Sequence, residues 1–127
     1  MKGPFDKVAE SELQILKALW ASKEPLSSSQ IVAAVSAVTT WEATTIRTLI
    51  HRLLIKGVLK AEKRDVQYYR PTVTEAAFGK HQTARLLDTF YSGKAANLFS
   101  ALYQQKQLSA ADLAELRALL VKEIGHE

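Results

Sequence analysis

The stretch ATTIRTLIHRLLIKGVLKAEKRDVQYYRP, residues 43–71, contains the features that decide the fold of this 127-residue chain. At helical spacing its first apolar residues converge on one side; they are Ile46, Leu49, Ile50 and Leu53. The opposite side carries Thr44, Thr48, His51 and Ile55, with Arg47 and Arg52 at its flanks. This two-sided pattern predicts a helix from about Ala43 to Lys56, and Gly57 follows where a glycine commonly ends a helix.

Two short segments with β-propensity follow the glycine. They cover about residues 58–62 and 66–70, and the polar triplet Lys63, Arg64 and Asp65 forms the tip between them. Pro71 ends the second segment, because proline cannot donate to a continuing strand ladder. The pattern predicts a two-stranded ribbon directly after the helix.

The positive charge of the chain is concentrated in the same stretch. Residues 43–70 carry seven Lys or Arg residues and two acidic residues, a net charge of +5. Residues 1–42 and 71–127 have net charges of −1 and 0, within a formal charge of +4 for the whole chain. A basic chain of this size has nucleic acid or an anionic surface as its expected charged partner. A merely solvated face is the alternative explanation for such a run.

Two further helices are predicted before this stretch. ESELQILKALWAS, residues 10–22, places Leu13, Leu16, Leu19 and Trp20 on one face, with Ser11 as the predicted N-cap. LSSSQIVAAVSAV, residues 26–38, has serines available as caps and Ile31, Val32 and Val35 directed inward. Three helices followed by a ribbon are typical of a winged helix-turn-helix, in which the third helix enters the major groove of DNA.

The exposed face of the third helix contains the candidate DNA-binding residues. Arg47 can pair with guanine O6 and N7, and the methyl group of Thr48 can contact a thymine methyl group. Thr44 and Thr45 are expected to cap the helix or to contact phosphate, since a helix N-terminus favours anions. The remaining candidates are His51 and Arg52 on the helix and Lys63 and Arg64 on the ribbon. A solvated hairpin tip explains the last two almost as well.

Residues 73–127 are predicted to form a second domain of three helices, after a DNA-binding domain at residues 1–72. The helical segments are TEAAFGKHQTARLLDTFYSG, KAANLFSALYQQ and LSAADLAELRALLVKEI, and Ser109 with Asp112 resembles a capping box. About 50 residues rarely bury a sufficient core alone. We therefore expect a homodimer, formed through apolar residues that include Leu86, Phe90, Leu98, Phe99, Leu102, Leu113, Leu116 and Leu120. The expected fold class is mainly α with a small β wing.

Several classes of function are not expected from this composition. The absence of cysteine excludes disulfides, thiolate metal sites and cysteine nucleophiles. His51, His81 and His126 show no metal-ligand spacing, and no catalytic constellation or phosphate-binding loop stands out, so we expect neither an enzyme nor a metal or other cofactor. No apolar stretch reaches the length of a membrane span and the N-terminus has no signal-peptide core, which predicts a cytoplasmic protein.

Three separated motifs resemble the penicillinase repressor family, the BlaI, MecI and CopY type of winged helix transcriptional regulators. The family's Trp, T-[VI]-[RK]-T-L-[LI]-x-R-L-x-x-K-G and Y-x-P elements are matched by Trp41, Thr45, Ile46, Arg47, Thr48, Leu49, Ile50, Arg52, Leu53, Lys56, Gly57, Tyr69 and Pro71. An earlier E-x-x-I-L-x-x-L-W motif is matched by Glu12, Ile15, Leu16, Leu19 and Trp20. LSAADLAELRALL resembles the family's third motif, so the similarity extends from about Ser11 to Leu120.

This resemblance implies a transcriptional repressor that binds palindromic operator DNA as a homodimer. Family members often regulate antibiotic resistance or copper handling, and many are inactivated when a membrane-bound sensor metalloprotease cuts the dimerisation region. The family's Asn-Phe cleavage site falls here on Ala101 and Leu102, so the Asn is replaced. The lack of cysteine argues against copper sensing through thiolates.

Two other classes of function remain open from the sequence. One is a MarR-like winged helix regulator that responds to a small molecule bound between its DNA-binding and dimerisation parts. The other is a winged helix that binds protein instead of DNA, which would show no salt-dependent affinity for DNA.

Overall fold

A computed structural model of the protein describes residues 8–125 and is mainly helical with one small sheet. Residues 1–7 and 126–127, and with them His126, lie outside the described part. The helices are α1 (Glu10–Ala21), α2 (Ser28–Ser36), α3 (Ala43–Ile55), α4 (Glu75–Tyr91), α5 (Ala95–Gln104) and α6 (Ala110–Ile124). The strands are β1 (Leu26–Ser27), β2 (Leu59–Lys63) and β3 (Gln67–Pro71). The predicted class, mainly α with a β wing, is confirmed.

The core lies between the first three helices and the base of the wing, which is the ribbon formed by β2 and β3. It consists of Ile15, Leu16, Leu19, Ile31, Val35, Ile46, Leu49, Ile50, Leu53, Val58 and Leu59. All four apolar positions predicted for α3 are buried, which confirms the helical periodicity. Gly57 ends α3 with a φ of 78°, a left-handed conformation that glycine adopts without steric cost. The chain then turns so that Val58 and Leu59 return to the core.

The sheet has a third strand that the sequence did not predict. Its order is β1-β3-β2 and both pairings are antiparallel, with Leu59 opposite Pro71 and Lys63 opposite Gln67 in the wing. β1 is only two residues long, with Leu26 opposite Tyr69 and Ser27 opposite Tyr68. Two residues are too few to show strand alternation, so only the tertiary pairing with β3 reveals this strand.

Two predicted helix caps are wrong. The N-cap of α1 is Ala9, whose backbone N–H donates to Glu12 Oε1 at 2.9 Å, while Ser11 lies inside the helix. Helix α3 begins after Glu42 without a side-chain cap, so Thr44 and Thr45 do not cap it. The predicted capping box of α6 is confirmed, because Ser109 Oγ accepts from the Asp112 N–H at 3.0 Å and Asp112 Oδ2 accepts from the Ser109 N–H at 2.9 Å.

The chain divides into two compact units, the first ending at Gln82 and the second beginning at Thr83. The start of α4 therefore belongs to the first unit, where Phe78 is 8% exposed and its ring centroid lies 5.5 Å from that of Trp20. The second unit contains the rest of α4 together with α5 and α6, and none of its described residues is buried. The predicted assignment of separate functions to residues 1–72 and 73–127 stays a prediction.

Candidate nucleic-acid interface

Helix α3 has one face in the core and one face open to solvent. Its buried residues are Ile46, Leu49, Ile50 and Leu53. Its exposed residues include all six that the sequence nominated for DNA contact, namely Thr44, Thr45, Arg47, Thr48, His51 and Arg52. Because the core fixes the first set, the orientation of the second set is fixed as well. The arrangement can present hydroxyl, imidazole and guanidinium groups together to one extended ligand.

Arg47 contacts a residue that the sequence did not nominate. Its Nη1 donates a hydrogen bond to the hydroxyl of Ser28, the first residue of α2. From sequence alone, the three consecutive serines at residues 27–29 indicate only possible helix caps. The signal that could have singled out Ser28 is its position one residue after the cap, but pairing it with Arg47 requires the angle between the two helices.

Ser27, the residue before Ser28, is held from two sides. Its side chain caps α2 by accepting from the Gln30 N–H at 3.2 Å, and its own N–H donates to Gln30 Oε1 at 2.8 Å. As part of β1 it also pairs with Tyr68 in the wing. The capping box and the strand pairing together fix the start of α2 relative to β3.

Lys56 faces the interior of the protein, although it contributes to the basic stretch. Its Nζ lies 2.6 Å from Glu12 Oε1 and 2.8 Å from Glu12 Oε2. The Glu12 side chain is 1% exposed and that of Lys56 is 27% exposed. This ion pair ties the first turn of α1 to the residue after α3. One of the seven cations counted in the sequence is therefore compensated by a carboxylate of the same unit.

The wing tip starts one residue later than predicted. Lys63 ends β2, and the Arg64 N–H donates to the Val66 carbonyl at 2.9 Å across the turn. The side chain of Arg64 lies 3.3 Å from a Glu62 carboxylate oxygen and its Cζ is 5.2 Å from the centre of the Tyr68 ring. Lys63 and Arg64 are both exposed, but the Arg64 guanidinium already has an acidic and an aromatic partner.

The residues nominated for dimerisation form a partly exposed apolar set in α4, α5 and α6. Leu86, Phe90, Phe99, Leu113 and Leu120 are exposed, with 73% of Phe90 open to solvent, while Leu98, Leu102 and Leu116 are half-buried. The structure adds Leu119 and Val121, exposed apolar residues of α6 that were not nominated. The proposed cleavage pair, Ala101 and Leu102, lies half-buried in the last turn of α5.

Neither a metal-binding cluster nor a membrane-spanning helix occurs in the described part of the chain. Residues 8–125 contain no cluster of three His, Cys, Asp or Glu residues that could hold a metal ion. None of the helices described for these residues is both long enough and apolar enough to cross a membrane.

Comparison with known proteins agrees with the arrangement of helices and wing. The model of the penicillinase repressor family matches residues 8–122. The chain belongs to this family. It is 26% identical over 115 residues to the penicillinase repressor of Bacillus licheniformis, covering 90% of this chain and 89% of the relative. It is 28% identical over 119 residues to the methicillin resistance regulatory protein MecI of Mammaliicoccus sciuri, covering 91% and 94%.

Two solved structures are similar to part of the chain. The DNA-binding domain of the repressor BlaI gives a TM-score of 0.52 at 25% identity, covering 60% of this chain and 93% of that domain. Monomeric BlaI of Bacillus licheniformis in complex with the blaP half-operator gives 0.50 at 28% identity, covering 56% and 87%. This chain is a DNA-binding transcriptional repressor with a winged helix domain, as the sequence motifs predicted.

Proposed function

We propose that this repressor binds a palindromic operator as a homodimer, with α3 of each copy in the major groove and the wing beside the phosphate backbone. The observation that carries the proposal is the two-sidedness of α3, whose core residues fix an exposed face of threonines and arginines. A related repressor of 28% identity has been solved on a half-operator, which supports the same use of the fold here. Family membership favours this function over a MarR-like regulator that responds to a small molecule.

Arg47 is the proposed base-reading residue. Its guanidinium is exposed on the polar face of α3, and arginine is suited to bidentate pairing with guanine. In a mobility-shift titration with the DNA upstream of its own gene, Arg47→Ala should weaken binding by about 1–3 kcal/mol and relax preference at one base position. Arg117→Ala, which removes an exposed arginine from α6, is the charge-matched control. Equal affinities for Arg47→Ala and the wild type would remove Arg47 from base reading.

The wing is proposed to contact phosphates. Each phosphate contact should add roughly 0.9 to the slope of log affinity against log salt. Replacing both Lys63 and Arg64 by alanine should flatten the slope by up to about two without changing base preference. Because Arg64 is already engaged by Glu62 and Tyr68, Lys63→Ala alone should account for the larger part. A slope unchanged in the double variant would exclude wing contacts with phosphate.

The dimer is proposed to form through the second unit. Specific interfaces bury about 1,200–2,000 Å² in total, and the exposed apolar side chains of α4, α5 and α6 are suited to such burial. A dimer would place two copies of α3 on half-sites about 10 base pairs, or a multiple of this, apart. Leu120→Glu should therefore shift sedimentation towards the monomer, whereas Glu115→Gln on the same helix should not. A Leu120→Glu protein that remains fully dimeric would locate the interface elsewhere.

Cleavage by a membrane-bound sensor metalloprotease is the proposed event that relieves repression. Cutting between Ala101 and Leu102 would separate α6 from α4 and part of α5, and so remove much of the apolar surface available for a dimer. The Ala101 carbonyl accepts from the Gln105 N–H at 3.0 Å, so the last turn of α5 must open before the bond can be cut. Mass spectrometry of the repressor recovered from induced cells should reveal fragments ending at Ala101. An intact chain in fully derepressed cells would exclude cleavage.

A further inference from the structure

The contact between Arg47 and Ser28 joins two helices across 19 residues of sequence. Arg47 is exposed on α3 and Ser28 is half-buried at the start of α2. A long arginine side chain loses much rotamer freedom when it is held in one geometry. Because Ser28 already holds the Arg47 side chain in the free protein, part of this loss of rotamer entropy occurs before DNA binds.

Ser28 is itself well positioned to act as such a partner. The preceding residue, Ser27, is 9% exposed, caps α2 and pairs with Tyr68 of the wing. The backbone before Ser28 is therefore held by the sheet and by the Gln30 capping box, not by a free loop. These contacts hold the backbone at the start of α2, so the Ser28 hydroxyl accepts from the guanidinium at a well-supported attachment point.

The donor inventory of arginine makes this contact compatible with base reading. A guanidinium has five N–H donors in a planar fork, and the bond to Ser28 uses one of those on Nη1. The edge formed by Nε and Nη2 remains available for guanine O6 and N7. Ser28 can therefore hold the guanidinium plane while the opposite edge meets a base pair.

We infer that Ser28 is a specificity-determining positioning residue, whose hydroxyl sets the direction in which Arg47 presents its donors to the DNA. The inference rests on the proposed function, since it requires that Arg47 reads a base. It assigns to the start of α2 a role in base preference that is exerted only through Arg47. Ser28 contacting a phosphate by itself is the competing role, and it makes a different prediction.

The first test measures base preference with a set of operators that vary one base pair at a time. Ser28→Ala should reduce discrimination at the pair read by Arg47 by roughly 3- to 10-fold, the range expected when one rotamer-rich side chain must be immobilised on binding. Ser28→Thr keeps the hydroxyl and should restore discrimination. Ser29→Ala, at the next and exposed position of α2, is the matched control and should behave as the wild type. Full discrimination by Ser28→Ala would overturn the inference.

The second test repeats Ser28→Ala in the Arg47→Ala background. If Ser28 acts only through Arg47, the second substitution has no further effect on any operator. A loss that is uniform over all operators and persists without Arg47 would assign Ser28 to direct phosphate contact and refute the positioning role. If Arg47→Ala alone leaves discrimination intact, base reading by Arg47 fails instead.

A third measurement needs no DNA. It distinguishes failure of the positioning role of Ser28 from failure of base reading by Arg47. In arginine labelled with ¹⁵N, hydrogen bonding at Nη1 should slow rotation about the Cζ–Nη1 bond of Arg47 relative to that of Arg117. Ser28→Ala should remove the difference and Ser28→Thr should retain it. An Arg47 guanidinium that rotates equally fast with and without the Ser28 hydroxyl refutes the inference, whatever role Arg47 has on DNA.

Discussion

The two units of the chain differ in what their helices bury. In the unit that ends at Gln82, twelve apolar side chains are buried among the described residues, from Ile15 to Phe78, whereas none of the described residues from Thr83 to Gly125 is buried. Yet α5 and α6 have apolar residues at helical spacing, as α1 and α3 do. A similar pattern thus has two outcomes, because three helices and a wing enclose a core while the later helices leave apolar side chains in solvent. The second unit therefore needs a further protein surface to bury its apolar side chains, whereas the first unit buries its own.

Truncation after Gln82 should give the largest effect. The truncated protein keeps the core of the first unit and Phe78, so we expect it to unfold cooperatively. It lacks the rest of α4 and all of α5 and α6, whose exposed apolar side chains are proposed to form the dimer. Independent half-site contacts then replace linked ones, and operator affinity should fall by about 10²–10⁴-fold. Sedimentation and mobility-shift titrations measure the two consequences. A truncated protein that binds the full operator as tightly as the intact chain would contradict the assignment of DNA binding to the first unit and dimerisation to the second.

A shorter truncation, after residue 72, sharpens the same experiment. It removes Phe78, whose ring packs at a tilt against Trp20, and Val73, whose carbonyl accepts from Trp20 Nε1 at 3.0 Å. We expect its melting temperature to lie below that of the protein truncated after Gln82. Equal melting temperatures would place the end of the folded unit before α4.

The same substitution made in each unit is the next test. Leu53→Ala removes a fully buried side chain and should lower the free energy of unfolding of the first unit by about 2–5 kcal/mol. Leu120→Ala removes a side chain that is 61% exposed, so it should leave the unfolding of a dilute monomer nearly unchanged. Denaturant titrations at low protein concentration compare the two. Similar losses for both variants would mean that Leu120 is buried within the monomer.

The ion pair between Glu12 and Lys56 should give a smaller but distinct loss. Lys56→Met leaves the Glu12 carboxylate buried without its cationic partner, while the hydrogen bond from the Ala9 N–H is kept. Removal of one member of a buried pair costs about 3–5 kcal/mol; because Lys56 is partly exposed, we expect about 2–3 kcal/mol here. The double variant with Glu12→Gln should recover part of this loss, as an uncharged amide tolerates burial better. No recovery would mean that Lys56 acts through its packing.

The smallest effect is expected at the start of α6. Hydrogen bonds from the Ser109 N–H and side chain lower the pKa of Asp112 below its ordinary value. A lowered pKa in the folded state means that this contribution to stability is complete above the ordinary carboxyl pKa and is lost as the pH falls through the lowered one. Ser109→Ala removes the side-chain hydrogen bond but keeps the backbone N–H, which is the larger cause, so it should move the Asp112 pKa only part of the way back upward. Loss of the serine cap should cost about 1 kcal/mol of helix stability. An NMR titration of the Asp112 carboxyl carbon measures the shift, and a pKa that returns fully to its ordinary value would contradict the larger part assigned to the N–H.

The elements that the sequence predicted correctly are those marked by a regular spacing of residues within one helix or at its ends. The core face of α3 is marked by four apolar residues at helical spacing, and the end of the helix by a glycine in the one conformation that excludes most other residues. The capping box at Ser109 and Asp112 depends on residues three apart, so it too was visible. The predicted cap at Ser11 is wrong because the true cap, Ala9, has no polar side-chain atom that a sequence pattern could reveal. The Glu12 carboxylate instead accepts a hydrogen bond from the Ala9 N–H.

The candidate site divides in the same way. Which residues of α3 face solvent follows from periodicity, and all six nominated positions are exposed. Two features depend on residues far apart in the chain: the Lys56 contact with Glu12 and the Arg47 contact with Ser28. The partners of Arg64, Glu62 and Tyr68, are near in sequence but are brought together by the turn of the wing. The Lys56 contact changes the electrostatic interpretation, because a charge counted as free is compensated.

The sequence by itself determined the order of helices and wing, the buried face of α3, the basic stretch and the family. These depend on spacing within one element or on motifs that can be compared directly. The tertiary structure alone decided that β1 exists, that Lys56 faces Glu12, that Arg47 contacts Ser28 and that α4 begins inside the first unit. The physical reason is that hydrogen bonds and ion pairs act over about 3 Å, and only the packing of helices brings residues 19 or 44 positions apart within that distance.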